Sequence, residues 1–348
     1  MTRRPTRHRP TTRTVRHAVR RNVWLFALAM MLVATSGHAQ RFVFATDRDF
    51  VESTVILQSE LFLYDDGSQL RLTRTPEQSE YDAAVSPGGD WLVYAVLVDE
   101  ATQAWEYQVR AIDDETIVAR FPVNDEATDM TRPAGGFPLR WADNARFVAQ
   151  TADADFDWSV VRFNRNGDST PLAQGYGVAL SPGSSQLATG RDGVSYVIDV
   201  ESGDEARLAD GTPLGWYDDD GVLIFRDDAV YLVSAADGSE ALLHDDLGYS
   251  FAFAWSPARR YYALLGVRFE QPYLLVYNPD HELVSSRDLA GAVNDISWLD
   301  DSTMLFSTQL GEDSLVLSID LTGRETVLVE SFGSDFAPLA LPQVPALP

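Results

Sequence analysis

The residues best suited to chemistry are few. There is no Cys anywhere in the chain, which excludes disulfides, thiolate metal sites, a Cys nucleophile and a lipid-attachment cysteine. Beyond the first 39 residues only two histidines occur, His244 and His281, in different parts of the chain. They are expected to lie apart, in surface roles, which argues against Ser-His-Asp hydrolysis and His-ligated metal sites. No G-x-S-x-G elbow is present. The best cation-binding stretch is Asp153-Ala154-Asp155-Phe156-Asp157, since alternating carboxylates can converge on calcium where the backbone curls. An EF-hand loop would place Gly at 158 and Glu at 164, where Trp158 and Asn164 stand, so an acidic loop is the plainer reading. Asp218-Asp219-Asp220-Gly221 reads as a hairpin turn.

A second group of residues suits recognition. Arg48, Arg191, Arg226 and Arg268 each follow an apolar run. They could ring one face, or pair with neighbours such as Asp192 and Asp227. Trp105, Trp158 and Phe269 fall in stretches between apolar runs. Aromatic and Arg side chains dominate interface energetics when they are presented on a rigid scaffold.

That scaffold is a repeat. Ser86 opens S-P-G-G-D-W-L-V-Y-A, and Ser181 and Ser256 open worn copies. Trp141, Trp216 and Trp298 open a related form, W-x-D-N/D. Each copy is a polar turn followed by a β-branched or aromatic run, and Pro87, Pro182 and Pro257 mark the strand ends. A second signal alternates with the first: an apolar run ending at Asp65, Asp113, Asn164, Asp199, Ser234, Asn278 or Asp320, then a turn. Seven such points over 255 residues set a period of about 42. Four strands per period predict an all-β, seven-bladed β-propeller. Residues 41–74 supply only three strands of a blade. The fourth is expected from residues 334–342, which resemble Glu80–Pro87, so the C-terminal strand closes the ring.

Residues 1–22 carry eight Arg and no acid, Val23 to Ala34 is an apolar run of 12, and Gly37-His38-Ala39 supplies small residues. This order reads as a signal peptide over 1–39, followed by one propeller domain over 40–348. The apolar run is short of the ~20 residues that span a bilayer, so no membrane span is expected after cleavage. The chain lacks Lys, and without its first 39 residues it holds 19 Arg against 52 acidic residues. Such a surface repels nucleic acid and anionic lipid. The expected location is periplasmic or secreted, and the expected state monomeric.

The repeats resemble those of the TolB-type, or WD40-like, propeller family. Ala254-Trp255-Ser256-Pro257 matches its W-S-P turn. Thr189-Gly190-Arg191-Asp192-Gly193 and Ala45-Thr46-Asp47-Arg48-Asp49 match its Arg-containing turn, and Leu72-Thr73 matches its closing Leu-Thr. The likeness covers residues 41–342. It implies a propeller fold, a motif that many unrelated activities use. The leading expectation for function is non-catalytic binding of a protein or peptide in the cell envelope, without a cofactor. The TolB proteins have six blades and an added α/β domain, whereas seven blades and no such domain are read here. A calcium-dependent lactonase- or lyase-like propeller is the alternative. The stretches Thr46–Glu60, Asp99–Glu106, Thr151–Trp158 and Arg268–Pro272 read as long loops on one face, bringing Trp105, Trp158, Phe269, Arg48 and Arg268 to a partner surface.

Overall fold

A computed structural model of the chain describes residues 40–46, 59–75, 78–99, 101–114, 116–124, 137–153, 155, 157–293, 296–310, 313–332 and 335–341. These form seven antiparallel sheets, each following chain order from its innermost to its outer strand, apart from the first. They are the blades of a seven-bladed propeller. Blade one takes its innermost strand from Asp335–Ala340, which pairs with Arg41–Thr46. Its third and outer strands are Glu60–Asp65 and Ser68–Arg71. The ring is closed by the C-terminal strand, as the missing fourth strand predicts. Blade seven has an interrupted innermost strand: Ala292–Val293 and Ser297–Asp300 both pair with Thr303–Leu310.

The alternation within each strand divides its side chains between two neighbours. Phe42 and Phe44 pack against Leu305 and Val316 of blade seven. Val43 and Leu61 pack against Leu92 and Tyr94 of blade two. Seven buried apolar clusters result, one at each blade interface. Among the described residues the core is divided between these interfaces. Stability comes from stacked interfaces, and the outer strands, such as Leu283–Asp288, are largely exposed and polar.

The two turn types interlock between blades. Blades two, four and six carry the Ser-Pro form; blades three, five and seven carry the Trp-x-Asp form. The Ser hydroxyl closes its own turn by accepting a later N–H, as Ser86 does from Trp91 (3.1 Å) and Ser181 from Gln186 (3.2 Å). The third residue of that turn then donates its N–H to the next blade. Gly88 donates to Asn144 (2.7 Å), Gly183 to Asp219 (2.7 Å) and Ala258 to Asp301 (2.8 Å). Beneath each clasp an indole donates back across the same interface: Trp141 to Ala84, Trp216 to Ala179 and Trp298 to Ala254. The Asp-rich turn of blade five is a hairpin turn as expected, with Asp218 accepting the N–H groups of Asp220 and Gly221.

Candidate functional site

In a propeller blade the second-to-third-strand turns share one face with the connections between blades. On that loop face, between blades three and four, lies a cleft of about 570 Å³. One wall is Trp158, at the start of the third strand of blade three. Its ring meets the 45% exposed Tyr176 edge-on, with centroids 5.7 Å apart. Tyr176 opens the innermost strand of blade four. The floor is glycine: a Cβ on Gly175 would meet Thr189 Oγ1 at 2.8 Å, and Gly211 and Gly190 line the same cleft. Exposed Asp157 and Asp192 stand at its rim. Arg191 also lines it, but its charge is taken by Glu205 at 2.7 Å while it lies over Tyr196, 4.2 Å from the ring centre. The cleft therefore offers two aromatic rings, exposed carboxylates and open backbone.

The other sequence candidates are placed very differently. Trp105 is 3% exposed. Its ring packs on Phe137 and Tyr81, 4.9 and 5.7 Å away, and its backbone N–H donates to Asn124 Oδ1 (2.8 Å). It is a core residue of the interface between blades two and three, because Phe137, on the connection into blade three, closes over it. Phe269 is 93% exposed, the most of any large apolar side chain among the described residues. The long loop expected at Arg268–Pro272 is a two-residue turn, Phe269 at φ 52° and Glu270 at φ 65°. Blades four and five make the same turn with Asp192-Gly193 and Asp227-Asp228, types that tolerate positive φ. A Phe there is strained as well as exposed.

The recurrent Arg residues follow one local rule. Arg226, like Arg191, lies over a third-strand tyrosine, Tyr231 (4.4 Å), and reaches an outer-strand glutamate, Glu240 (2.8 Å). The partners are thus Glu205 and Glu240, in place of Asp192 and Asp227, since the side chain runs back along its own blade. Arg268 lies more loosely over Tyr273 (5.8 Å) and donates to the Asp246 carbonyl (3.1 Å). It forms no ion pair among the described residues. Arg48 lies outside the described residues. In the acidic stretch, Asp153 Oδ1 accepts the N–H groups of Asp155 and Asp157, both at 3.0 Å. Asp153, Asp155 and Asp157 are all exposed. Among the described residues no group of three or more His, Asp or Glu could hold a metal ion.

Two polar clusters escape sequence reading. The histidines, expected apart, meet: His244 Nε2 and His281 Nδ1 both bond the hydroxyl of Tyr262, at 2.8 and 2.9 Å. His244 ends the outer strand of blade five and His281 sits in a turn of blade six, so the blade interface joins them. Burial and then the neighbouring His281 push His244 down to about 4, and burial lowers His281 as well. Tyr262 is fully buried, and burial raises its hydroxyl far above the usual range. The second cluster is Glu60 with Glu80, 0% and 1% exposed, between blades one and two. Arg71 bonds Glu60, and the Thr75 hydroxyl bonds Glu80 Oε1. Glu80 Oε2 has no hydrogen-bond partner among the described residues. Burial, and then the charge of Glu60, push Glu80 up to about 9, so it is a neutral acid in the folded protein.

No protein-family model matches the chain, and no curated protein sequence matches it significantly. Solved structures do. Prolyl oligopeptidase B from Galerina marginata, bound to a 35mer hydrolysis and macrocyclization substrate, matches with a TM-score of 0.58 at 13% identity, over 79% of this chain and 47% of that one. Oligopeptidase B from Leishmania major matches with a TM-score of 0.54 at 9% identity, over 78% and 45%. TolB from Acinetobacter baumannii matches with a TM-score of 0.47 at 13% identity, over 81% and 78%. The chain spans about half the length of the oligopeptidases it matches. At these identities the likeness is one of fold, and function must be argued from the site.

Proposed function

We propose that this is an exported, non-catalytic binding protein that captures a protein or peptide on its loop face. The observation that carries this reading is the cleft between blades three and four, with Trp158 and Tyr176 as its aromatic wall. Asp157 and Asp192 at its rim suit a basic partner side chain seated on the rings. The exposed Phe269 supports the same face, since an apolar side chain held in a strained turn gains nothing for folding. Export rests on the order of basic, apolar and small residues over 1–39, with cleavage after Ala39. The acidic surface weighs against nucleic acid and anionic membranes as partners.

The test is crosslinked capture from the native host's envelope, comparing the mature protein with Trp158→Ala plus Tyr176→Ala. A partner held by the first and lost from the second, at equal melting temperature, is the expected result. Identical capture by both would overturn the site. Turnover of a lactone or uronide on adding calcium would replace binding with the enzyme reading.

A further inference from the structure

A second cleft, of about 290 Å³, opens on the opposite face, at the ends of the innermost strands of blades three to six. Its apolar walls are Trp141, Trp216, Trp255 and Phe253. Its polar side chains are Arg140, Arg259, Ser181 and Ser184. Among the described residues no Asp or Glu lines it, in a chain that holds 52 of them. Several other arginines are neutralised by glutamates, as Arg146 and Arg162 are by Glu201, and Arg71 by Glu60. Arg140 and Arg259 form no ion pair among the described residues. Arg140 is exposed and donates to the Leu139 carbonyl (2.9 Å). Arg259 donates to the Tyr217 carbonyl and lies 4.5 Å from the centre of the Trp255 ring. The carboxylates whose field reaches Arg259, Asp218 and Asp219, already accept backbone N–H groups from Asp220, Gly221 and Gly183. The indole N–H groups of Trp141, Trp216 and Trp255 are spent on carbonyls of the preceding blades.

We infer that this cleft is an anion site, built for a carboxylate carried beside an apolar or aromatic group. A guanidinium fork matches a carboxylate with two parallel hydrogen bonds. The indole and phenyl walls take the adjoining hydrocarbon. A volume of 290 Å³ holds about ten waters at ~30 Å³ each, which is room for one or two residues and not for a folded element. A peptide's C-terminal residue and a free aromatic acid share this chemistry. The acidic surface repels anions at long range, but that field is screened beyond ~8–10 Å, so two unneutralised arginines decide recognition within the cleft.

The test titrates the whole chain, by tryptophan fluorescence and calorimetry, with four probes. They are the tripeptide alanyl-alanyl-phenylalanine as free acid, the same peptide as its C-terminal amide, phenylacetate, and inorganic phosphate. The free acid should bind saturably and the amide at least tenfold more weakly. Arg140→Gln should lose at least tenfold for the free acid at unchanged melting temperature, because that side chain is exposed. Arg259→Lys, which keeps the charge and loses the fork, should weaken binding as well. Tighter binding of the tripeptide acid than of phenylacetate would identify a chain end as the ligand; equal binding would identify a small acid. Equal binding of acid and amide, phosphate binding as well as either acid, no binding of any acid, or full affinity in Arg140→Gln would each overturn the inference. Trp158→Ala should leave this titration unchanged, which separates it from capture on the loop face.

Discussion

Replacing Glu80 with Gln should stabilise the protein at pH 8 and change it little at pH 5. Glu80 is 1% exposed and stands beside the equally buried Glu60. Its carboxyl, ordinarily near 4.5, is raised to about 9 by burial and by that neighbour. The unfolded chain releases this proton near 4.5, so between 4.5 and 9 folding must take one up. The stability that protonated Glu80 contributes is complete below 4.5 and is lost as pH climbs towards 9. Each pH unit in that window costs about 1.4 kcal/mol, or about 4 kcal/mol at most from pH 5 to pH 8. Relaxation around the pair, and Arg71 beside it, reduce this to about 2 kcal/mol. Gln is neutral throughout and keeps an oxygen for the Thr75 hydroxyl, so it lacks this dependence. Urea unfolding of both proteins at pH 5, 6, 7 and 8 provides the assay. Taking the difference between them cancels the titrating groups remote from Glu80 and leaves the Glu60–Glu80 pair. A difference that stays flat with pH, or that favours Glu80 increasingly as pH rises, would refute the assignment of a neutral buried acid.

Three further outcomes are expected. Because His244 is pushed down to about 4 from 6.5, the unfolded chain binds its proton first; stability should be full above pH 6.5 and fall as pH drops towards 4, by about 1–2 kcal/mol after discounting for solvent screening. Replacing both His244 and His281 with Gln should flatten that acid limb, which acid titration of the unfolding free energy reads directly. Asp219→Ala should cost about 1 kcal/mol by removing the clasp on Gly183, while Asp219→Asn should cost less because it still accepts the N–H; thermal unfolding of the two variants separates them. Phe269→Asn should raise stability by about 1 kcal/mol, since Asn tolerates positive φ and an exposed ring is removed, and any partner of the loop face should bind it more weakly.

The architecture was written in the chain because it is a local property repeated. A turn, a β-branched run and a capping Asp or Asn recur every forty-odd residues, and each repeat specifies one blade by its own hydrogen bonds. Asp199, for example, accepts the N–H groups of Glu201 and Ser202 just after it, and Asp320 those of Thr322 and Arg324. Closure was equally legible, since a first blade one strand short implies a strand elsewhere, and Asp335–Ala340 supplies it. Of the residues singled out in the sequence, Trp158 opens a strand at the cleft and Phe269 sits exposed in a two-residue turn where a long loop was expected.

What the chain could not disclose lies between blades. An apolar or polar side chain in a strand points to one neighbour or the other, and the partner it meets is roughly a repeat away in sequence. Trp105 looks like a loop aromatic until Phe137 closes over it. His244 and His281 look unrelated until one tyrosine hydroxyl joins them. Arg140 and Arg259 look like two more surface charges until the ring turns them towards the same cleft. Composition set how many carboxylates the chain holds, and only the closure of seven sheets decided that none of the described ones would line that cleft. Burial and pairing are sums over neighbours that the chain order separates, so they belong to the tertiary structure alone.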